Sequence, residues 1–360
     1  MLASGTLVAV CAAAFFSGSS SALAVKRTPT VTGSLSISFS SWAGDATPTN
    51  IVDVTGDGGG GGVLNGYNVI VTSDTCNKGT IVASNAAYYV PDTSNPLAWE
   101  GFESNGQSKA AVPWMSGENA EGWDIWPNNA LSTQYNDASD SVGYAIYAVA
   151  TRAGTGTYQY STLAKLTADD TGLTITRPVQ KYITSKLRWN WSTASNGDGF
   201  LHVFAVGSSE DVLYEAKVPW DDIEDPSRSS WSYFSGGDSY SDSEADAVPM
   251  ATGYYGGNGD AFWSDYFHTW LIVAMGSGDS CDCVYVQYST TGNSYGPYTD
   301  TQQIVATDWD PVDEPGKDRC NYSYHSYPKF YPASTTSHKL LASWSYAYGS
   351  VYKMGIITLS

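Results

Sequence analysis

Five times along this chain an alternating apolar strand is followed by a short Gly-, Ser- or Asp-rich turn and a second strand, usually rich in tyrosine. The first unit runs from Val63 to Thr72 and is interrupted by Gly66. The second joins Gly143–Ala150 to Tyr158–Leu166, and the third joins Phe200–Val206 to Val212–Val218. The fourth joins His268–Met275 to Cys283–Tyr288, and the last joins Lys339–Ser345 to Val351–Leu359. An isolated two-stranded hairpin is marginally stable, so five of them must pack on one another. Radial repetition does this, protects the strand edges and leaves a central channel. The pattern predicts an all-β, five-bladed β-propeller, each unit supplying the two middle strands of a four-stranded blade. A pair of β-sandwiches uses the same alternation and stays open as the other architecture. No linker divides the chain, and residues 28–360 are read as a single domain.

Composition agrees and removes several functions. The chain has 360 residues, with 36 Gly, 26 Tyr and 13 Trp, the residues of turns and strands rather than of coiled coils. It carries 17 Lys and Arg against 36 Asp and Glu, a formal charge of −19, which repels a phosphate backbone and excludes general nucleic-acid binding. With 42% hydrophobic residues it can bury a core, unlike a disordered acidic chain.

Residues 1–24 read as a secretory signal: an apolar run from Leu7 to Phe16, then small residues ending in Ala22-Leu23-Ala24. The run is too short to span a bilayer, and no later segment is long enough, so no membrane partner is expected. Lys26-Arg27 directly follows, a dibasic pair that resembles a kexin-type processing site, so that residues 25–27 would be removed and the mature chain would begin at Thr28. Two ordinary surface charges are the other reading. Secretion into an oxidising compartment makes disulfides the expectation for Cys76, Cys281, Cys283 and Cys320. A bond between Cys281 and Cys283 across a single residue of extended backbone is disfavoured by disulfide geometry, so each is expected to reach out to Cys76 or Cys320. Asn190-Trp191-Ser192 and Asn321-Tyr322-Ser323 are N-glycosylation acceptors.

In a propeller the innermost strand of each blade lines the channel, so the segments before the lead strands hold the candidate site residues. Asp57 precedes five glycines, Gly58 to Gly62, which let a ligand approach the backbone, or else form an Asx-type turn. Trp123-Asp124-Ile125-Trp126-Pro127-Asn128 places aromatics beside an acid and an amide, the chemistry of a sugar site or of a core Trp cluster. Trp189-Asn190-Trp191 offers a similar mixture, although a glycan on Asn190 would keep it from facing a narrow channel. Asp242, Glu244 and Asp246 alternate before the fourth unit, either as a functional acid group or as a solvated loop. Tyr324-His325 puts an imidazole among aromatics before the fifth. No P-loop, zinc-protease helix or compact cysteine-ligand motif is present, so no cofactor or metal is called for. Two carboxylates flanking a glycosidic bond suffice for its hydrolysis. Asp57, Asp124, Glu244 and Asp246 are the candidates, with Trp123, Trp126, Asn128, Trp189, Trp191, Tyr324 and His325 as candidate sugar contacts.

Taken in order, Asp57-Gly58-Gly59, Ser73-Asp74-Thr75, Ile125-Trp126-Pro127-Asn128, Ala216-Lys217-Val218-Pro219 with Asp225-Pro226 and Trp231-Ser232-Tyr233, and the late Tyr324-His325 resemble the secreted propellers of the domain-of-unknown-function 4185 family. Lys217 stands where many relatives have Arg, and the glycine run is longer than usual. The resemblance covers roughly residues 40 to 360 and implies a glycosidase-like five-bladed propeller, some relatives being endo-acting hydrolases of D-arabinan. Carried over by position, Asp57 looks like the general base. Asp74 follows a strand of about ten residues, some 30 Å at ~3.3 Å per residue, and is expected to sit far from Asp57 in a supporting role. The readings are then a secreted, monomeric glycoside hydrolase of a furanoside or related glycan, inverting and endo-acting; a carbohydrate-binding propeller without catalysis; or a structural or host-interaction protein.

Overall fold

The computed structural model describes residues 37–51, 54–77, 80–102, 110–135, 139–152, 156–256, 258–276, 283–306, 322–330, 339–346 and 351–359. The expected signal segment, the dibasic pair, Cys281, Asn321 and Cys320 lie outside them.

Five antiparallel sheets are arranged as blades in a ring, a five-bladed β-propeller. Blade I runs outward from Val54–Leu64 through Tyr67–Asn77 and Thr80–Tyr89 to Ala98–Gly101, with Thr47–Pro48 added in parallel at its edge. Blade II is Trp123–Trp126, Val142–Thr151, Thr157–Asp169 and Gly172–Ile183. Blade III is Arg188–Ala194, Phe200–Val206, Val212–Pro219, Ser232–Gly236 and Ser239–Ser241. Blade IV is Gly259–Ser264, Thr269–Met275, Cys283–Tyr288 and Gln302–Ala306. Blade V is Tyr322–Tyr327, Lys339–Tyr346 and Val351–Leu359, and its outermost strand is Ile37–Asp45 from the other end of the chain.

Units two to five of the sequence are the two middle strands of blades II to V. The first unit is different: Val63 to Thr72 straddles a hairpin. Asn65 (φ 47°) and Gly66 (φ 79°) form a left-handed turn that sends the chain back along the glycine run. The glycines are therefore themselves the innermost strand of blade I.

The apolar alternation of the middle strands serves two neighbours at once. Side chains on one face of a blade pack against the preceding blade, and those on the other face pack against the next. The described core accordingly divides into five clusters, one per blade interface. Trp344 and Trp231, each 1% exposed, anchor the IV–V and II–III interfaces.

The innermost strand of blade I abuts the segment Asn128–Leu131 so closely that side chains do not fit between them. Leu131 N–H donates to the Gly61 carbonyl at 3.0 Å. A Cβ on Gly62 would lie 2.5 Å from the Leu131 carbonyl oxygen. The run thus seals blade I against blade II by backbone contact. Only Gly58 (φ 56°) and Gly59 (φ 144°) also need the left-handed region.

Candidate active site at the mouth of the channel

The innermost strands all run the same way, and the residues at their starts form one mouth of the channel. At that mouth Asp57 sits opposite Ser73 in the blade I ladder, and Asp74 is the next residue along. The hairpin turn at Asn65-Gly66 brings these two acids together. The expectation that Asp74 lies a strand-length away from Asp57 is corrected: the chain between them folds back rather than extends.

The two carboxyl groups have different surroundings. Asp57 faces blade V, where its Oδ2 accepts from the Tyr322 hydroxyl and its Oδ1 accepts from Ser345 Oγ at 2.9 Å. Burial pushes its pKa up, and the hydrogen bonds from Tyr322 and Ser345 offset part of the rise. Asp74 faces blade II. Burial, then repulsion from Asp124 and Asp57, raises it to about 7, against the attraction of Arg152 and the Trp126 indole. Asp124 is 7% exposed and accepts from Arg152 Nε at 2.7 Å. The mouth therefore holds three carboxyl groups and one guanidinium. One of the acids stays protonated to near neutrality because a third charge there is unfavourable.

Beneath these acids the packing is tight. A Cβ on Gly58 would lie 2.6 Å from Ser323 Oγ and 2.7 Å from Asn128 Oδ1, and Ser73 Oγ donates to that Asn128 oxygen at 3.0 Å. Asn128 is thus held by blade I while it lines a cavity of ≈ 590 Å³ that opens between blades II, III and IV. Trp126, Tyr158, Arg188, Asn190 and Tyr214 also line this cavity. Its volume suits one or a few sugar rings.

Several sequence candidates lie elsewhere. Trp189 and Tyr324 are fully buried, at the II–III and IV–V interfaces, and are core residues rather than sugar platforms. Trp191, 6% exposed, touches the cavity wall, but its indole N–H donates to the Tyr255 carbonyl at 3.2 Å and its ring packs in the III–IV core. Trp123 packs against Tyr160 in the I–II core. Glu244 and Asp246 do not lie at the start of the inner strand of blade IV. They follow the outermost strand of blade III, where Arg228 pairs with Glu244 at 3.5 Å and Ser241 Oγ donates to Asp246 at 2.7 Å. The innermost strand of blade IV is instead Gly259–Ser264. It contributes Asp260, 1% exposed, which the sequence reading did not single out. Asp260 Oδ2 accepts from the Ser326 N–H at 2.6 Å and faces His325 Nδ1 at 3.3 Å, so His325 is a buried channel residue. A second, smaller cavity of ≈ 50 Å³ lies along the channel between Asp260, Thr193, Gly61 and Ser326.

Asn190 lines the large cavity, and Ser192 of its acceptor sequence is fully buried, its hydroxyl accepting from the Ala261 N–H at 3.2 Å. Cys283 carries a free thiol at the start of its strand, with Ala306 as ladder partner, so the bridge expected from it is not formed. The Cys76 side chain lies outside what the structure describes. Among the described residues, no three His, Cys, Asp or Glu side chains converge as metal ligands.

No protein-family model and no curated protein matches this chain. The fold is similar to that of solved structures. An exo-β-1,3-galactanase from Phanerochaete chrysosporium is 10% identical with a TM-score of 0.52, over 90% of this chain and 64% of that one. The catalytic domain of a Coprinopsis cinerea α-L-arabinofuranosidase is 13% identical with a TM-score of 0.45, over 91% and 98%. An exo-1,5-α-L-arabinanase from a bovine ruminal metagenomic library is 10% identical with a TM-score of 0.43, over 85% and 96%. The chain thus spans just under two thirds of the galactanase, and at these identities the likeness is one of fold.

Proposed function

We propose that this protein is a secreted glycoside hydrolase that holds a polysaccharide across the channel mouth, with Asp57 as general base and Asp74 as general acid. The observation that carries the reading is the hairpin pair itself. Two acids from neighbouring strands of one blade have carboxyl groups turned to opposite neighbours, Asp57 toward Tyr322 and Asp74 toward Trp126. Asp74, raised to about 7, keeps the proton that a leaving oxygen needs, and Asp57 takes the proton of an attacking water. The glycosidic C–O bond breaks as the water C–O bond forms, and the proton lost by water at Asp57 balances the one delivered by Asp74. Carboxyl groups that diverge in this way suit inversion, in which the pair stands roughly 6.5–9.5 Å apart. Asp124 and Arg152 act by holding Asp74 between repulsion and attraction.

Structures of similar fold include enzymes named for galactan and arabinan, which supports a glycan as the ligand. A carbohydrate-binding propeller without catalysis uses the same cavity but gives no reason to bury Asp74 beside two other acids. The deciding experiment is a reducing-sugar screen across plant, fungal and bacterial wall polymers, followed by proton NMR of the first product formed. Inverted anomeric configuration is expected, and loss of turnover in both Asp57→Asn and Asp74→Asn. Full turnover in either variant refutes the assignment.

A further inference from the structure

The wall of the large cavity carries two cations with no ion-pair partner among the described residues, Lys186 and Arg188. Lys181, Lys217 and Lys339 also make no ion pair among the described residues, but none of them lines this cavity. Other cations are paired: Arg152 with Asp124, Lys165 with Glu224, Arg177 with Glu118 and Arg228 with Glu244. Lys186 sits in the bend before the innermost strand of blade III, and Arg188 is the first residue of that strand. Arg188 is also held in place. Its guanidinium lies 4.7 Å from the centre of the Tyr158 ring on blade II, so the planar donor fork bridges two blades over the cavity. Glu244, which also acts on the Tyr158 hydroxyl, is occupied by Arg228. Glu210 enters the cavity from the turn after Phe200–Val206, and Tyr255 N–H donates to its carbonyl at 3.1 Å.

We propose that the glycan held at this mouth is acidic, and that Lys186 and Arg188 receive an anionic substituent of the sugar seated in the blade II–III cavity. The inference rests on the glycan reading of the site and adds the class of glycan. The shared chemistry is a fixed oxyanion, either a uronate carboxylate or a sulfate ester, and an Arg fork with a neighbouring Lys suits both. Trp126 and Asn128 on the opposite side remain for the ring face and the hydroxyls. The −19 charge of the whole chain sharpens the idea, because non-specific attraction for a polyanion is excluded and only a local cationic site can hold one.

The test is isothermal titration of the full chain with four probes: oligogalacturonate, its methyl ester, a sulfated galactan oligosaccharide and a neutral arabinan oligosaccharide. Release of reducing ends from each is followed separately. Oligogalacturonate or the sulfated probe is expected to bind about tenfold to a hundredfold more tightly than the neutral probes, weakening as salt is added. Lys186→Ala/Arg188→Ala should remove that preference, and Lys186→Gln/Arg188→Gln should do the same while keeping side-chain length. A preference for uronate over sulfate, or the reverse, identifies the source of the anion. Equal or tighter binding of the methyl ester and of arabinan by the unaltered chain overturns the proposal without reference to any variant. Acidic probes that bind but are never cleaved leave this inference standing and count against the hydrolase. Cleavage of neutral arabinan alone supports the hydrolase and overturns the acidic glycan. No binding of any probe overturns the inference.

Discussion

Replacing Gly60 by alanine puts a methyl group where the backbone of Asn129 already is. The new Cβ would lie 2.5 Å from the Asn129 carbonyl carbon and 2.9 Å from its nitrogen, and nearer still to its oxygen. Ordinary contact needs about 3.4 Å or more, so the innermost strand of blade I and the segment after Trp126 must part by roughly 1 Å. Neither side yields easily: Leu131 N–H is bonded to the Gly61 carbonyl, and Asn128 is bonded to Ser73. Overpacking of this kind costs about 3 kcal/mol, and the reduced freedom of the unfolded chain returns about 0.7 kcal/mol, leaving roughly 2 kcal/mol. At an unfolding entropy of ~0.7 kcal/mol/K for a chain of this length, the melting temperature should fall by about 3 °C. Gly122→Ala is the control. The nearest atom to its Cβ would be Asn119 Oδ1 at 3.5 Å, and it should melt with the unaltered protein. Calorimetry of the three proteins decides the matter. If Gly60→Ala melts with the control, the glycine run is not a steric seal between blades.

Asp74 is raised to about 7, so kcat/KM should decline as pH rises through 7, where the proposed general acid loses its proton, and Asp74→Asn should cost ~10²–10⁴ in rate. The same shift acts on stability. The folded state holds a proton that the unfolded state releases near 4, so stability falls between about pH 4 and 7, and the melting advantage of Asp74→Asn should grow across that window and level off above it. Tyr322→Phe removes a donor from Asp57 and should push that carboxyl further up, moving the acidic limb of kcat/KM to higher pH; an unmoved limb argues against Asp57 as base. His202 is buried, which pulls its pKa down, but Asp198 and Glu215 on its two ring nitrogens outweigh burial and hold it at about 9. Its stabilisation is complete below about 6.5 and is lost as pH rises through 9, so His202→Gln should flatten the alkaline fall in melting temperature.

The blades were legible where side chains alternate. Strands such as Gly143–Ala150 and Phe200–Val206 bury both faces between neighbouring blades, and their apolar character appears in any window. The innermost strands were harder to see, because their partner is backbone. Gly58–Gly62 has no side chains to alternate, and glycine is depleted in strands, so the run looked like a loop. That error carried Asp74 to the wrong end of an imagined straight strand, although Asn65-Gly66 is the dipeptide that most strongly marks a tight hairpin. Asp260 was missed for a related reason. The blade IV inner strand is only Gly259–Ser264, and the more conspicuous acids at 242–246 drew attention to the edge of blade III. Aromatic residues misled in the other direction. Trp189 and Tyr324 stand beside polar residues in sequence, yet strand alternation turns them into the inter-blade core.

Blade V is assembled from residues 37–45 and 322–359, whereas the other four blades draw on nearly contiguous stretches of chain. The strand that emerges first during synthesis therefore has to wait for the blade that emerges late. Until Val351–Leu359 arrives, Ile37–Asp45 has no ladder partner, and the blade I face that meets Tyr327 and Leu341 is uncovered. Loop closure over some three hundred residues must precede these contacts, which makes ring closure a slow and late event. The proposed catalytic pair, Asp57 and Asp74, belongs to the early hairpin, but Tyr322 and Ser345, which fix Asp57, come with the last blade. On that proposal, activity is withheld until closure is complete.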